Sequence, residues 1–414
     1  MSTYRPRLIE PLLAELLSEL PALLVVGPRA TGKTTMAAQH AARVVRLDRA
    51  DEAAAFRANP DAALRDLPEP VLLDEWQAVP EVLGAVKRAV DSDSRPGRYL
   101  LTGSVRADID ADTWPGTGRV VRLAMYPLTV AEQTGSAAQP LVDRLIAGEE
   151  LAPAAATPDL RGYIDLALQG GFPEAALTLS AQARERWLES YVEQLLTRDA
   201  LTLNGSRDPA RLGRYFEAYA LNSAGLAEHK TLYDAAGINR RTALAYESLL
   251  RNLMVVDELP AWTSNRLKRL VLSPKRYLVD SALLGGVLGV DAATVMRDGK
   301  LMGRLLETFV TAQLRAEATV AAARPKLYHL RSEQGRVEID IVAELRGQRI
   351  IGIEIKASSA PSAQDARHLA WLRDHLADRF IAGVVLHTGP ATYPLGSRIV
   401  AAPISTLWAR CHTT

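Results

Sequence analysis

The sequence predicts an α/β protein: a parallel sheet wrapped by helices at the start, helices in the middle and a second sheet at the end. Three stretches carry that expectation. Leu23-Leu24-Val25-Val26 is a short apolar run of the kind a buried parallel strand needs, and it stops at Gly27. Val71-Leu72-Leu73 is a second such run, closed by the acids Asp74 and Glu75. Near the end, Val337 to Val342 and Ile350 to Lys356 alternate polar and apolar residues, as two neighbouring half-buried strands do.

The first run leads into Gly27-Pro28-Arg29-Ala30-Thr31-Gly32-Lys33-Thr34-Thr35, the spacing of a phosphate-binding loop. Its glycines let successive backbone N–H groups curl round a phosphate, and the helix that follows offers its positive end to the same anion. The segment TTMAAQHAARVV reads as that helix. Lys33 is expected on the β- and γ-phosphates, and the Thr34 hydroxyl on Mg²⁺. Asp74 would hold the same metal, while Glu75 would orient or deprotonate the attacking water. The third strand, Arg98 to Leu101, runs into Thr102-Gly103-Ser104. Thr102 and Ser104 read either as a sensor of the γ-phosphate or as a plain strand-to-helix turn. Residues 116–128 read as a loop, a strand and a stop. Within or beside them, Arg119 and Arg106 are candidates for a positive charge lent to a neighbouring subunit's nucleotide, or are ordinary surface arginines.

Composition sets the outer limits. At 414 residues the chain is too long for one ordinary core, so two or three domains are expected. A 48% hydrophobic and 23% charged composition is that of a globular protein, and a net charge of +1 excludes a chain that is basic overall. The single cysteine, Cys411, excludes an internal disulfide framework and a cysteine-rich zinc site, and fits a reducing compartment. The first residues lack a small-residue cleavage site and read as an amphipathic helix. No run approaches the roughly eighteen apolar residues of a membrane span, so a cytoplasmic location is expected.

Together the GPRATGKTT loop, the LLDEWQ acids, the LLTGS strand and the GRVVRLAMYPLTVAEQ stretch resemble one branch of the AAA+ ATPases. Members of that branch are prokaryotic and pair the ATPase with a C-terminal region long known only as a domain of unknown function. The resemblance implies ATP rather than GTP, a helical lid and homo-oligomerisation. The expected organisation is an AAA+ P-loop core over 1–135, a helical lid and linker over 136–208, a winged helix-turn-helix over 209–285 and a nuclease-like domain over 286–414.

Residues 134–160 are rich in Ala, Pro and Gly and read as a flexible connection. Helical patterns follow at Leu160 to Leu168 and Gln182 to Asp199, separated by the tight turn Gly170-Gly171-Phe172-Pro173-Glu174. Helices at Leu212 to Ser223, Leu226 to Ala236 and from Ile238 onward, with strands at Met254 to Leu259 and Leu270 to Leu272, make the order of a winged helix. Arg240 and Arg241 open its third helix, and Lys268, Arg269, Lys275 and Arg276 form a basic cluster near the wing. These residues are expected on DNA phosphates or base edges, with a packing module between domains as the alternative.

In the last segment Glu307 lies in a helical pattern, Asp340 on the strand that follows, and Glu354 and Lys356 on one face of the strand after it. This order has the spacing of the restriction-endonuclease-like, or PD-(D/E)xK, nucleases, with Ile339 where the pattern's name has proline. There the acids Glu307, Asp340 and Glu354 would hold Mg²⁺, and Lys356 would steady the attacking water. Gln364, on the following helix, matches a further polar position of some relatives. The seven histidines show no paired metal-ligand spacing. The leading expectation is an ATP-hydrolysing protein acting on nucleic acid through a nuclease or nuclease-like module. The alternatives are a nucleotide-switched binding protein without cleavage and an assembly ATPase that remodels protein partners.

Overall fold

The computed structural model describes residues 4–104, 117–136, 138–199, 208–270, 272–332 and 335–409, apart from the side chains of residues 198, 199 and 266. The chain falls into two compact units, Thr3–Tyr126 with Leu250–Met254, and Pro127–Leu249 with Val255–Thr414.

The first unit is built on five strands: β1 (Ala22–Val26), β2 (Arg43–Arg46), β3 (Val71–Asp74), β4 (Tyr99–Gly103) and β5 (Val121–Ala124). Every pairing is parallel and the order is β2-β3-β4-β1-β5. All residues of β1, β3 and β4 are buried, which is why these strands read as unbroken apolar runs, whereas the edge strands β2 and β5 expose Arg43, Arg46 and Arg122. Helix Val82–Ser92 lays Val82, Leu83, Val86 and Val90 into the same core as Leu24, Leu73 and Leu101. Full burial of each such side chain favours folding by about 1.5–3 kcal/mol.

One expectation fails here. The helix after the phosphate loop stops at Ala38, and Arg43–Arg46, read as its continuation, forms strand β2. The Ala42 amide bonds the Pro70 carbonyl, and β-branched Val44 and Val45 then pair with Leu72 and Leu73.

In the second unit, helices Leu160–Gln169, Ala181–Gln194, Pro209–Leu221, His229–Ala235 and Arg240–Asn252 precede the antiparallel hairpin β6 (Val256–Leu259) and β7 (Lys275–Leu278). The second hairpin strand therefore begins beyond the expected Leu270 to Leu272; a short helix, Arg266–Arg269, lies just before that stretch. The expected flexible connection also contains structure, because Leu141–Ala147 is a helix with Leu141, Val142 and Leu145 buried. The Arg144 guanidinium donates to the Thr406 carbonyl at 2.7 Å, and the Ser136 hydroxyl donates to that of Trp408 at 2.7 Å.

The C-terminal sheet contains β8 (Lys326–Ser332), β9 (Val337–Glu344), β10 (Ile350–Lys356), β11 (Phe380–His387), β12 (Tyr393–Gly396) and β13 (Ile399–Pro403), ordered β12-β13-β11-β10-β9-β8. Strands β8, β9 and β10 are antiparallel neighbours, and β11 joins β10 in parallel after helix Arg367–Leu376. Ile339, Val342, Ile350, Leu369, Leu372 and Phe380 form its core. The long helix Gly299–Val320, capped by the Asp298 carboxylate on the Lys300 and Leu301 amides, precedes β8.

Candidate nucleotide site and C-terminal acidic cluster

The loop between β1 and helix Lys33–Ala38 is shaped by backbone demands that few residues meet. Ala30 and Gly32 take positive φ, at 59° and 85°. A Cβ at Gly27 would lie 2.2 Å from the Met125 carbonyl oxygen, so only glycine fits the start of the loop. The Thr31 hydroxyl donates to the Pro28 carbonyl at 2.9 Å, and Lys33, only 5% exposed, donates its ammonium to the same carbonyl at 2.7 Å. Burial lowers the Lys33 pKa to about 8, against the opposing pull of Glu75 and Asp74.

Behind the loop the strand ends converge. Both the Thr34 hydroxyl, at 2.7 Å, and the Thr102 hydroxyl, at 2.5 Å, donate to Oδ1 of Asp74, itself 5% exposed. Glu75 takes a left-handed turn after β3, φ 51°, and accepts the Ser104 hydroxyl at 3.1 Å and the Gln77 amide. The structure thus brings Lys33, Thr34, Asp74, Glu75, Thr102 and Ser104 to one end of the sheet. A hydroxyl and a carboxylate side by side, with a buried lysine beside them, suit the oxygen ligation of Mg²⁺ next to a nucleotide phosphate. Thr102 lies within β4 rather than after it.

Sequence reasoning missed one residue. Arg7, 6% exposed, donates to the Thr31 carbonyl and the Tyr126 carbonyl, each at 2.7 Å, and so pins the loop from a segment with no motif of its own. Arg119 donates to Asp91 of its own chain at 2.8 Å, on the surface. Arg106 lies outside the described residues.

The C-terminal acids are brought together, but around a lysine. Glu307 on helix Gly299–Val320 and Asp340 on β9 lie 2.5 Å and 3.2 Å from the ammonium of Lys275, which opens β7. Burial opposes that charge, but Glu307, Tyr277 and Asp340 outweigh it and hold the Lys275 pKa well above the usual lysine value. Glu354 on β10, 2% exposed, accepts Lys356 at 2.9 Å, and burial raises its carboxyl above the ordinary range. Among the described residues no group of three or more His, Cys, Asp or Glu side chains is arranged to hold a metal ion. Of the residues expected on Mg²⁺, Glu307 and Asp340 pair with the Lys275 ammonium and Glu354 with that of Lys356. Gln364 is exposed in the turn before helix Arg367–Leu376, not on it. His368, from that helix's first turn, is the residue that faces the cluster, 3.8 Å from Glu354 and 2.8 Å from the Glu338 carbonyl.

The expected nucleic-acid residues divide. Arg240, Arg241 and Lys268 are exposed. Arg269 is not available, because both ends of its guanidinium bond Glu344, at 2.6 Å and 3.0 Å, and its face lies over Trp262 and Tyr328. Arg276, 6% exposed, bonds Glu247 and the Ala227 carbonyl. Lys275 is buried among the acids, so the basic cluster expected near the wing is mostly internal ion pairing. No helix among the described residues is long and apolar enough to cross a membrane.

Three segments of the chain match known families. Residues 19–134 match a model described as an AAA domain. Residues 160–294 and 302–407 match models described as domains of unknown function, DUF8612 and DUF4143. Over 392 residues the chain is 30% identical to two relatives, the uncharacterized proteins Mb2031c of Mycobacterium bovis and Rv2008c of Mycobacterium tuberculosis. Those alignments cover 94% of this chain and 81% of each relative. Among solved structures, the Walker-type ATPase PABY2304 of Pyrococcus abyssi is similar with a TM-score of 0.44 and 12% identity, over 68% of this chain and 94% of that one.

Proposed function

The chain belongs to the family of these mycobacterial proteins, with an AAA domain ahead of a DUF4143 domain, and from that membership we propose that it is an ATP-hydrolysing switch. The observation that carries this reading is the convergence of the Thr34 and Thr102 hydroxyls on Asp74 beside buried Lys33. Thr34 and Asp74 would hold Mg²⁺, which when bound neutralises charge on the β- and γ-phosphate oxygens. Lys33 exchanges the Pro28 carbonyl for a phosphate oxygen. Glu75, aligned by Ser104 and Gln77, takes the proton of the attacking water, and Thr102 links the Asp74 carboxylate to β4, just before Ser104.

The second unit supports a DNA-contacting role. Its helices Pro209–Leu221, His229–Ala235 and Arg240–Asn252 followed by the β6–β7 hairpin have the order of a winged helix, with Arg240 and Arg241 exposed at the start of the third helix. The C-terminal order of helix, three antiparallel strands, helix and parallel strand supports a nuclease-like scaffold. With Lys275 among its acids, we take that scaffold as a binding or regulated module rather than a standing nuclease.

Phosphate release from ATP tests the central reading. The wild type turns over ATP, Lys33→Ala loses both binding and turnover, and Glu75→Gln keeps binding while turnover falls by about 100-fold or more. Turnover retained in Lys33→Ala would remove the phosphate-loop assignment.

A further inference from the structure

A buried lysine is unfavourable unless carboxylates surround it, and Lys275 has that surrounding. It is 2% exposed, with its ammonium 2.5 Å from Glu307, 3.2 Å from Asp340 and 3.7 Å from Glu338. Two residues along β7, on the same face of the strand, the Tyr277 hydroxyl donates to Oε1 of Glu307 at 2.7 Å. The other Asp340 oxygen accepts the Ile355 amide at 2.9 Å. One strand of the hairpin therefore supplies both the charge and a hydroxyl to acids carried by a helix and by the C-terminal sheet.

Three acids of the expected metal site, Glu307, Asp340 and Glu354, face two ammonium groups, Lys275 and Lys356. Glu338 adds a fourth carboxylate within reach of Lys275, and Oε1 of Glu354, buried without a hydrogen bond, has His368 Nδ1 at 3.8 Å. A divalent ion drawing on Glu307 and Asp340 at the roughly 2.0–2.6 Å of oxygen ligation would compete with Lys275 for Oε1 of Glu307 and Oδ1 of Asp340. The ammonium and a dication repel, so one excludes the other.

We propose that Lys275 is a built-in cation that closes the acidic cluster: an autoinhibitory contact in which β7 keeps Glu307, Asp340 and Glu354 free of metal, and whose removal turns them into a divalent-cation site. The proposal is independent of the ATPase reading, since it concerns the second unit alone.

The test is Mn²⁺ titration of the nucleotide-free full chain, with free Mn²⁺ followed by electron paramagnetic resonance. The wild type is expected to bind no Mn²⁺ through Asp340, so that Asp340→Asn leaves its titration unchanged. Lys275→Ala is expected to gain about one bound Mn²⁺ per chain, to lose it again when combined with Asp340→Asn, and to melt at higher temperature with Mn²⁺ than with EDTA. A wild type that binds Mn²⁺ through Asp340 as tightly as Lys275→Ala would overturn the proposal, as would a folded Lys275→Ala that gains no site. If Lys275→Ala folds only when Mn²⁺ is present, the metal is replacing the ammonium and the proposal stands. If it folds under neither condition, Lys275→Gln, which keeps the volume without the charge, decides: gain of the Mn²⁺ site upholds the proposal, and no gain or no folding overturns it. ATP turnover of the wild type, measured alongside, bears on the nucleotide site only.

Discussion

Lys33 joins local chemistry to binding. Its ammonium is nearly out of water, and burial has lowered its pKa to about 8. Phosphate oxygens favour the charged lysine, so nucleotide binding raises that pKa again. Below about pH 7 the lysine is already protonated and binding takes up little at this position; above about pH 8 the bound form must acquire the missing proton. ATP binding near pH 8.5 should therefore be accompanied by uptake of a substantial fraction of a proton. Titration calorimetry in buffers of different ionisation enthalpy reads this directly, and heats that do not depend on the buffer would contradict it. The Glu75→Gln variant, which leaves Lys33 in place, should still show the uptake.

The helix Leu141–Ala147 shows what a composition-based reading of a linker misses. Its first amide, at Leu141, donates to the buried Glu317 carboxyl at 2.8 Å, on the long helix Gly299–Val320. Burial raises the Glu317 pKa to about 8, although that hydrogen bond and Arg144 act the other way. In the unfolded chain this carboxyl ionises in the ordinary range, near 4.5. Its contribution to stability is thus fully present below about pH 4.5 and is lost as pH rises through about 8. Glu317→Gln keeps an acceptor for the Leu141 amide but has no charge to bury. Thermal melts between about pH 5 and pH 8 should fall less steeply for Glu317→Gln than for the wild type. Parallel curves would show that another group sets the slope.

Across the whole chain the charges nearly cancel, at +1, so affinity for a polyanion must come from a few exposed cations rather than from a general field. Arg240, Arg241 and Lys268 are exposed, while Arg269, Lys275 and Arg276 are committed to internal acids. If those three carry DNA binding, the log–log salt slope should be about −3, and Arg240→Ala or Arg241→Ala should each reduce it by about 1. Fluorescence anisotropy of a labelled duplex over a salt series measures this. A slope unaltered by either substitution would remove that helix from the DNA-contacting surface.

The nucleotide end of the molecule is legible in the order of its residues. A phosphate loop is contiguous: Gly27 to Thr35 contains the turn, the anion-binding amides, the lysine and the hydroxyl, and Asp74-Glu75 marks itself by ending an apolar strand. Even the strand pattern is readable, because full burial makes the runs in β1, β3 and β4 apolar, while the short edge strand β2 lacks that signature and reads as helix. Arg7 stayed hidden because its partners, the Thr31 and Tyr126 carbonyls, are backbone atoms far along the chain. The acids Glu307, Asp340 and Glu354 were found by spacing, yet spacing is silent on what lies between them. It takes the folded chain to put Lys275, some thirty residues before the nearest of those acids, between Glu307 and Asp340. Nothing local distinguishes a lysine bound for solvent or a phosphate from one bound for a buried ion pair. The difference lies in which carboxylates the folded chain brings within about 3 Å and whether water is excluded when they meet.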